Sequence, residues 1–162
     1  MPLISVVIAV FNGSDGLLRC IDSVCSQTYT AREILVIDGG STDGTQEIIR
    51  REQSRLSYWV SEPDRGIYHA WNKALAHVRG EWIFFIGADD YLFAPDVFER
   101  MAQVLAGAYP PIRIVYGQVA VVNSRGEEVN RIGESWQSAK KRFGQIMCIP
   151  HTALMHHCSL FE

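Results

Sequence analysis

LISVVIAV, residues 3–10, opens the chain as an uninterrupted apolar run, and Phe-Asn-Gly at 11–13 breaks it. A β-branched run of this kind is typical of a strand buried on both faces of a parallel sheet. A helical pattern follows directly, with apolar residues at 17, 18, 21, 24 and 25 on one face. The first 25 residues therefore predict a strand, a turn and a crossover helix.

The same alternation continues along the chain. Further strands are predicted at 33–40, 56–60 and 82–87. Helices are predicted after Ser41, with Asp43 as N-cap and Gln46 three residues on, over 67–78, and from about residue 95. Strands and helices at this spacing indicate an α/β fold. Its sheet is an open, mainly parallel one with helices on both faces.

The C-terminal third has a different pattern. Residues 112–122 and 128–133 flank Ser-Arg-Gly and predict a β-hairpin. A helix is expected over about 138–146 and a strand over 151–157. Residues 159–162 resemble the start of another helix, so the natural protein is expected to continue beyond them.

Composition disfavours several classes of function. The 162 residues are 48% hydrophobic and carry a formal charge of −3, which disfavours a nucleic-acid-binding surface. The short basic run at 140–142 indicates a solvated helix face, with a membrane-surface or acidic-acceptor patch as the alternative. The four cysteines lack C-x-x-C spacing, which disfavours zinc or thioredoxin-like chemistry. Cys20 and Cys25 lie in an apolar helical stretch, which favours buried, reduced thiols. No run approaches the ~18 apolar residues of a membrane span, and no leader is recognised, so a cytoplasmic protein is predicted.

Polar residues follow the predicted strands at their carboxyl ends, where open α/β sheets bind ligands. Asp38-Gly39-Gly40-Ser41 follows the second strand and Ala88-Asp89-Asp90 follows the fourth. Adjacent carboxylates are costly without a cation or donors, and Mg²⁺ prefers such oxygens. The alternative for Asp89 and Asp90 is a turn with an Asp cap. The alternative for Asp38 is a tight loop that caps the next helix.

Other site chemistries are less well supported. There is no G-x-G-x-x-G after the first strand and no G-x-x-x-x-G-K-[ST], which disfavours dinucleotide and P-loop sites. A glycosidase needs two carboxyl groups on opposite sides of a sugar. Side chains of the neighbours Asp89 and Asp90 are expected to diverge and so not to supply that geometry.

Four segments, in order, resemble the family 2 glycosyltransferases with the GT-A fold, which make bacterial polysaccharides and related glycans. They are SVVIAVFN, ILVIDGGSTDGT, SEPDRGIYHAWNKAL and GEWIFFIGADDYL, and the resemblance covers residues 3–162. It implies a Rossmann-like GT-A domain over 1–162. Residues 1–110 would bind the nucleotide sugar, and residues 111–162 would begin an acceptor-side region that is cut short.

The resemblance also implies nucleotide-sugar contacts. The residues concerned are Ala9, Val10, Phe11, Asp38, Asn72, Lys73 and Asp89. Ala9 to Phe11 would act through the backbone, Asp38 on the base and Asp89 near the ribose. Gly39 stands where the family has a second acidic residue. For Lys73, an ordinary solvated side chain with no contact to the nucleotide is an equally supported alternative.

The catalytic groups are implied less completely. Asp90 matches the metal ligand of the family's DXD-like element and, with Asp89, would hold Mg²⁺ or Mn²⁺. Many relatives place an Asp general base near IPHTALMHH, where this chain has Pro150 followed by His151. His151 is the candidate base, since a pKa near ~6.5 suits a base at neutral pH. Its alternatives are to orient donor or acceptor, or to be an ordinary half-buried histidine.

The expected function is metal-assisted, inverting transfer of a sugar from a nucleoside diphosphate sugar, UDP first, to a glycan or lipid-linked acceptor. The alternative is a non-catalytic nucleotide-sugar-binding or scaffold subunit. No nucleic-acid partner is expected. Peripheral association with the inner face of the plasma membrane and a homodimer are left open.

Overall fold

A six-stranded sheet organises the protein in a computed structural model that describes residues 1–146 and 148–162. Its strands are β1 (Ile4–Val10), β2 (Arg32–Asp38), β3 (Tyr58–Ser61), β4 (Trp82–Gly87), β5 (Ile114–Tyr116) and β8 (Leu154–His157). They lie in the order β3-β2-β1-β4-β8-β5. The first four are mutually parallel, whereas β8 runs antiparallel to both of its neighbours. A separate hairpin pairs β6 (Val119–Val122) with β7 (Glu128–Ile132).

Five α-helices accompany the strands in the part of the chain that the structure describes. They are α1 (Ser14–Cys25), α2 (Thr45–Glu52), α3 (Ile67–Leu75), α4 (Val97–Leu105) and α5 (Trp136–Ala139). Short 3-10 turns cover Gln53–Arg55, His151–Ala153 and Cys158–Leu160. None of the helices formed by the described residues has the length and apolarity to cross a membrane.

The central strands are buried on both faces, because successive side chains of a strand point to opposite sides. Val6 and Ile8 pack on the face covered by α1, α2 and α4. Val7 and Ile37 pack on the other face, against α3. The parallel α/β sheet predicted from the apolar runs is thus confirmed, with helices on both faces.

The C-terminal third departs from prediction. The single strand expected over 112–122 is wrong: β5 ends at Tyr116, and β6 begins at Val119. β5 is not part of the hairpin, because it pairs with β8, about forty residues further on. The helix expected at 138–146 is only the short α5, followed by turns. The strand expected at 151–157 begins at Leu154, and the helix expected at 159–162 is a 3-10 turn.

Asp43 is not the N-cap of α2, contrary to prediction. Gly44 takes that position with φ of 102°, so Asp43 lies one residue earlier. Its two carboxylate oxygens accept hydrogen bonds from the main-chain N–H of Thr45 (3.1 Å) and Ser14 (3.0 Å). Hydrogen bonds to its carboxylate hold the pKa of Asp43 below its ordinary value, and the bond from the Thr45 hydroxyl has the largest effect. Asp43 therefore joins the beginnings of α1 and α2.

Candidate functional site

The strand register brings the polar segments to one edge of the sheet, as predicted. Val10 pairs with Asp38 at the ends of β1 and β2, and Ala9 pairs with Gly87 at the end of β4. Because β1 lies between the other two, Asp38 and Gly87 are two strand spacings apart, or ~10 Å. The candidate site is built on these three strand ends.

Asp38 lies beneath this edge rather than on its surface. Its side chain is fully buried, and its carboxylate accepts hydrogen bonds from the Ser61 hydroxyl at 2.6 Å and the Ser41 main-chain N–H at 3.1 Å. The Ser41 hydroxyl donates to it as well and accepts from the Asn12 N–H at 2.7 Å. Asp38 thus connects the loops that follow β1, β2 and β3, and its base contact stays a prediction.

The loop after β1 is held against the loop after β2. Asn12 has a left-handed φ of 49°, which lets its side-chain oxygen accept from the Thr42 N–H at 2.9 Å. The Gly13 N–H donates to the Thr45 hydroxyl at 3.0 Å. These bonds fix the backbone that follows Val10.

Gly39 and Gly40 lack side chains where another segment of the protein packs closely against them. A β-carbon on Gly40 would lie 3.2 Å from the Pro63 nitrogen. A β-carbon on Gly39 would lie 3.0 Å from a carboxylate oxygen of Asp64. The segment 62–64 therefore lies directly on the two glycines.

A cavity of about 390 Å³ opens beside the end of β1, and we call it the β1 cavity. It is lined by Ala9, Val10, Phe11, Gly39, Asp64, Gly66, Ile67 and Ala70. Three of these, Ala9 to Phe11, were predicted as nucleotide contacts. Asp64 is the one charged residue among those that line this cavity in the described part of the chain. It belongs to the segment SEPDRGIYHAWNKAL, but it was not singled out there, because its place depends on the packing of segment 62–64.

Lys73 and Asn72 lie outside this lining. The Lys73 ammonium pairs with the Glu62 carboxylate at 3.0 Å and donates to the Pro63 carbonyl at 3.3 Å. Asn72 is exposed on the surface of α3. Lys73 thus holds segment 62–64 in place, and the nucleotide contacts of Lys73 and Asn72 stay predictions.

Asp89 and Asp90 follow β4 as predicted, but the expectation that their side chains diverge is wrong. A β-carbon added to Gly87 would lie 2.8 Å from a carboxylate oxygen of Asp89 and 3.6 Å from one of Asp90. Both side chains bend back over the glycine, where no β-carbon obstructs them. Because they share one side, they still cannot flank a sugar from opposite faces as a glycosidase requires.

No cationic side chain of the described residues pairs with either of these two carboxylates. Burial, and then the neighbouring charge of Asp89, raise the pKa of Asp90 above its ordinary value of 3.8. Within 1–146 and 148–162, no ion pair reaches either carboxylate. Arg19, which sequence reasoning missed because it is an exposed helix residue, donates to the Asp89 carbonyl oxygen at 3.2 Å instead.

The surroundings of the pair are tightly packed. A β-carbon on Gly16 of α1 would lie 2.5 Å from the Ala88 carbonyl oxygen. The Cys20 thiol is buried below, and burial, followed by the charges of Asp90 and Asp89, raises its pKa to about 12. Cys20 is therefore an inert thiol, and all four cysteines are free.

A second cavity of about 520 Å³ extends from Asp89 and Asp90 toward the β6–β7 hairpin.

His151 lies on neither cavity wall. Its ring stacks on Trp71 of α3, with centroids 4.8 Å apart and planes 7° from parallel. Burial lowers its pKa below 6.5, which favours the neutral imidazole. The centroid of the His156 ring lies 5.9 Å from that of the His151 ring. Among the described atoms, Trp71 Nε1 and His156 Nδ1 are buried polar groups without a partner.

The pair of aspartates fits a hard cation that takes its other ligands from elsewhere. The described residues contain no cluster of three or more side chains of the metal-binding types. Two carboxylates on one side, which no cationic side chain of the described residues pairs with, match Mg²⁺ or Mn²⁺, since Mg²⁺ typically keeps several waters and substrate phosphates in its shell. The donor set is thus suited to a metal that a phosphate-bearing ligand completes.

A parallel α/β sheet with a cavity and a carboxylate pair at its carboxyl edge defines a class of ligand-binding α/β proteins. Comparison with known proteins identifies the family. The profile described as Glycosyl transferase family 2 matches residues 5–161, so the chain belongs to that family.

Relatives in sequence agree with this assignment. An uncharacterized glycosyltransferase of Mycobacterium tuberculosis is 39% identical over 110 residues, covering 67% of this chain and 42% of that protein. A PGL/p-HBAD biosynthesis glycosyltransferase of Mycobacterium bovis is 31% identical over 163 residues, covering 99% of this chain and 61% of that protein. The chain therefore spans about two fifths to three fifths of the length of these relatives.

Solved structures agree on the fold. A mannosyltransferase from Pyrobaculum calidifontis, in complex with GDP-Man and Mn²⁺, superposes with a TM-score of 0.66 at 30% identity, covering 76% of this chain and 36% of that one. S. aureus TarS 1-349 in complex with UDP-GlcNAc gives a TM-score of 0.76 at 18% identity, covering 98% and 46%. The GT-A fold expected from the sequence is confirmed.

Proposed function

We propose that the protein is a glycosyltransferase that transfers a sugar from a nucleoside diphosphate sugar to a glycan or lipid-linked acceptor. The observation that supports this most directly is the placement of the β1 cavity and the Asp89–Asp90 pair at the ends of the adjacent strands β1 and β4. A ligand with a flat aromatic base at one end and a diphosphate at the other suits these two features.

The nucleotide is proposed to lie across the strand ends. The base enters the β1 cavity against Ala9, Val10 and Phe11, and the diphosphate extends to Asp89 and Asp90. UDP is the first donor nucleotide to test, from the family resemblance. GDP is the second, because the archaeal mannosyltransferase binds GDP-Man.

Asp90, assisted by Asp89, is proposed to hold Mg²⁺ or Mn²⁺. A divalent ion there would neutralise charge on the diphosphate leaving group as its bond to the sugar breaks. The raised pKa of Asp90 supports this assignment, since an added positive charge would favour the ionised carboxylate.

His151 is proposed as the general base of an inverting transfer. It would take the proton of the acceptor hydroxyl while that oxygen attacks the anomeric carbon. Its lowered pKa leaves the ring neutral, as a base must be, at neutral pH. Stacking on Trp71 fixes the plane of the ring.

Release of nucleoside diphosphate tests the proposal. The protein is incubated with Mn²⁺ and a panel of UDP- and GDP-sugars, with and without glycan acceptors. We expect release from at least one donor. Binding of nucleotide without release from any donor would instead support the alternative of a nucleotide-sugar-binding subunit.

A further inference from the structure

Asp64 occupies the space that a side chain on Gly39 would fill. Both of its carboxylate oxygens and its carboxyl carbon lie within 3.3 Å of the β-carbon position that Gly39 leaves open. Gly39 is at the end of β2, whereas Asp64 comes from the loop before α3, twenty-five residues later. The carboxyl group thus arrives at this point of the site from a different segment.

The position of Asp64 is fixed by its neighbours. One carboxylate oxygen accepts the main-chain N–H of Gly66, at 2.7 Å, where α3 begins. Lys73 holds the preceding residues through Glu62 and the Pro63 carbonyl. The loop also donates the Glu62 N–H to the Asp38 carbonyl oxygen, at 3.0 Å.

The second oxygen of Asp64 is left available. Of the residues that the structure places, none donates a hydrogen bond to it. The rest of the β1 cavity wall consists of apolar side chains and glycine. An ionised carboxylate with a free oxygen in such a wall offers an acceptor and no donor.

We propose that Asp64 recognises the base of the donor nucleotide by accepting its ring imino N–H. Uracil carries this donor at N3 and guanine at N1, whereas cytosine and adenine present a bare acceptor nitrogen on the same edge. The site therefore selects uridine or guanosine diphosphates over cytidine and adenosine diphosphates. This inference rests on the proposed function, because it concerns the nucleotide of the same donor.

The direct test measures the affinities of UDP, GDP, CDP and N3-methyl-UDP in the presence of Mn²⁺. Wild-type protein is expected to bind UDP or GDP ~10–100-fold more tightly than CDP, because a hydrogen bond to a charged group is lost. N3-methyl-UDP, which lacks the imino hydrogen, should lose as much as CDP if UDP is the ligand that binds.

Asp64→Asn is the first variant. Its side-chain oxygen can still accept from the Gly66 N–H, so the start of α3 is preserved. The amide then turns a donor toward the base, and UDP and GDP should bind ~10–100-fold more weakly while CDP does not. Asp15→Asn is the control, because it makes the same substitution at an exposed aspartate of α1 that lines neither cavity, so the affinities should stay unchanged.

The second test moves the carboxyl group from position 64, before α3, to position 39, at the end of β2. Gly39→Asp alone places a β-carbon against Asp64 and should weaken binding. In Asp64→Ala the space is empty, so adding Gly39→Asp should restore at least part of the lost affinity.

The outcomes separate the two claims. Tight UDP or GDP binding that Asp64→Asn leaves unchanged, or equal affinity for CDP, overturns the role of Asp64 and leaves the proposed function standing. If the wild type binds no nucleoside diphosphate with Mn²⁺, the proposed donor site is wrong, and the inference falls with it.

Discussion

The Ser61 hydroxyl donates a 2.6 Å hydrogen bond to the Asp38 carboxylate and thereby ties the end of β3 to the end of β2. Since the Ser41 hydroxyl and main-chain N–H donate to the same carboxylate, replacing Asp38 leaves three donors without their acceptor, two of them on the buried Ser41. A role in the fold follows from this contact, beside any role toward the nucleotide.

Asp38→Ala should therefore lower the free energy of unfolding by about 1–3 kcal/mol, the cost of buried groups left without partners. Urea denaturation measures it. Asp15→Ala, an exposed aspartate in the first turn of α1, serves as the control and should change the value by less than ~0.5 kcal/mol. An Asp38→Ala variant as stable as the wild type would contradict the structural role.

Gly16 tests the packing of α1 against the Ala88–Asp89 loop that follows β4. Alanine there would normally favour the helix by up to ~1 kcal/mol. Its β-carbon, however, would lie 2.5 Å from the Ala88 carbonyl oxygen and 3.0 Å from the Asp89 α-carbon. Backbone atoms cannot rotate away, so overpacking of about 1–3 kcal/mol should prevail.

We expect Gly16→Ala to be less stable than the wild type in urea denaturation and to bind nucleotide with Mn²⁺ more weakly. Gly107→Ala is the matched control, because its β-carbon would meet nothing within 4 Å. Equal stability and affinity in the two variants would show that Gly16 is not needed for this close approach.

His151→Ala should reduce release of nucleoside diphosphate by ~10²–10⁴-fold, as loss of a general base does, with nucleotide affinity unchanged. The base must be neutral to act, and burial lowers the pKa of His151 below 6.5. The rate should therefore be constant at neutral pH and fall only as the pH drops through that lowered pKa.

The control for this variant is His77→Ala. His77 stacks on Tyr58 just beyond the end of α3 and should have no effect on the rate. A His151→Ala enzyme with full activity would move the search for the base to other side chains near Trp71.

Local patterns in the sequence predicted the parts of the fold that depend on local contacts. β1, β2 and β4 are apolar runs whose burial determines their place, and the carboxyl edge follows from their parallel order. The split between Tyr116 and Val119 could not be predicted, because β5 pairs with a strand far along the chain. Asp64 was missed for the same reason: its place beside Gly39 exists only after segment 62–64 packs on the two glycines.

The raised pKa of Asp90 makes a prediction about stability without metal. A carboxyl group whose folded-state pKa lies above its unfolded value contributes stability at low pH, and that contribution is lost as the pH rises through the folded pKa. Asp90→Asn should therefore be more stable than the wild type at pH 7. The difference should disappear below pH 3.8, the ordinary pKa of the group.

Urea denaturation between pH 3 and pH 8 with EDTA checks this expectation. Asp96→Asn is the control, since its exposed carboxylate pairs with Arg100. If Asp90→Asn were destabilising at neutral pH, the carboxylate would be a structural cap, and the metal-ligand assignment would lose its support.

The most direct measurement titrates UDP and GDP into the wild type and into Asp90→Asn, each with and without Mn²⁺, by isothermal calorimetry. We expect the wild type to bind one of them with Mn²⁺, and we expect omission of the metal or replacement of Asp90 to weaken binding by more than ~10-fold. Loss of groups that only support metal ligands already costs that much. Absence of binding in the wild type, or equal affinity with and without Mn²⁺ and Asp90, would contradict it.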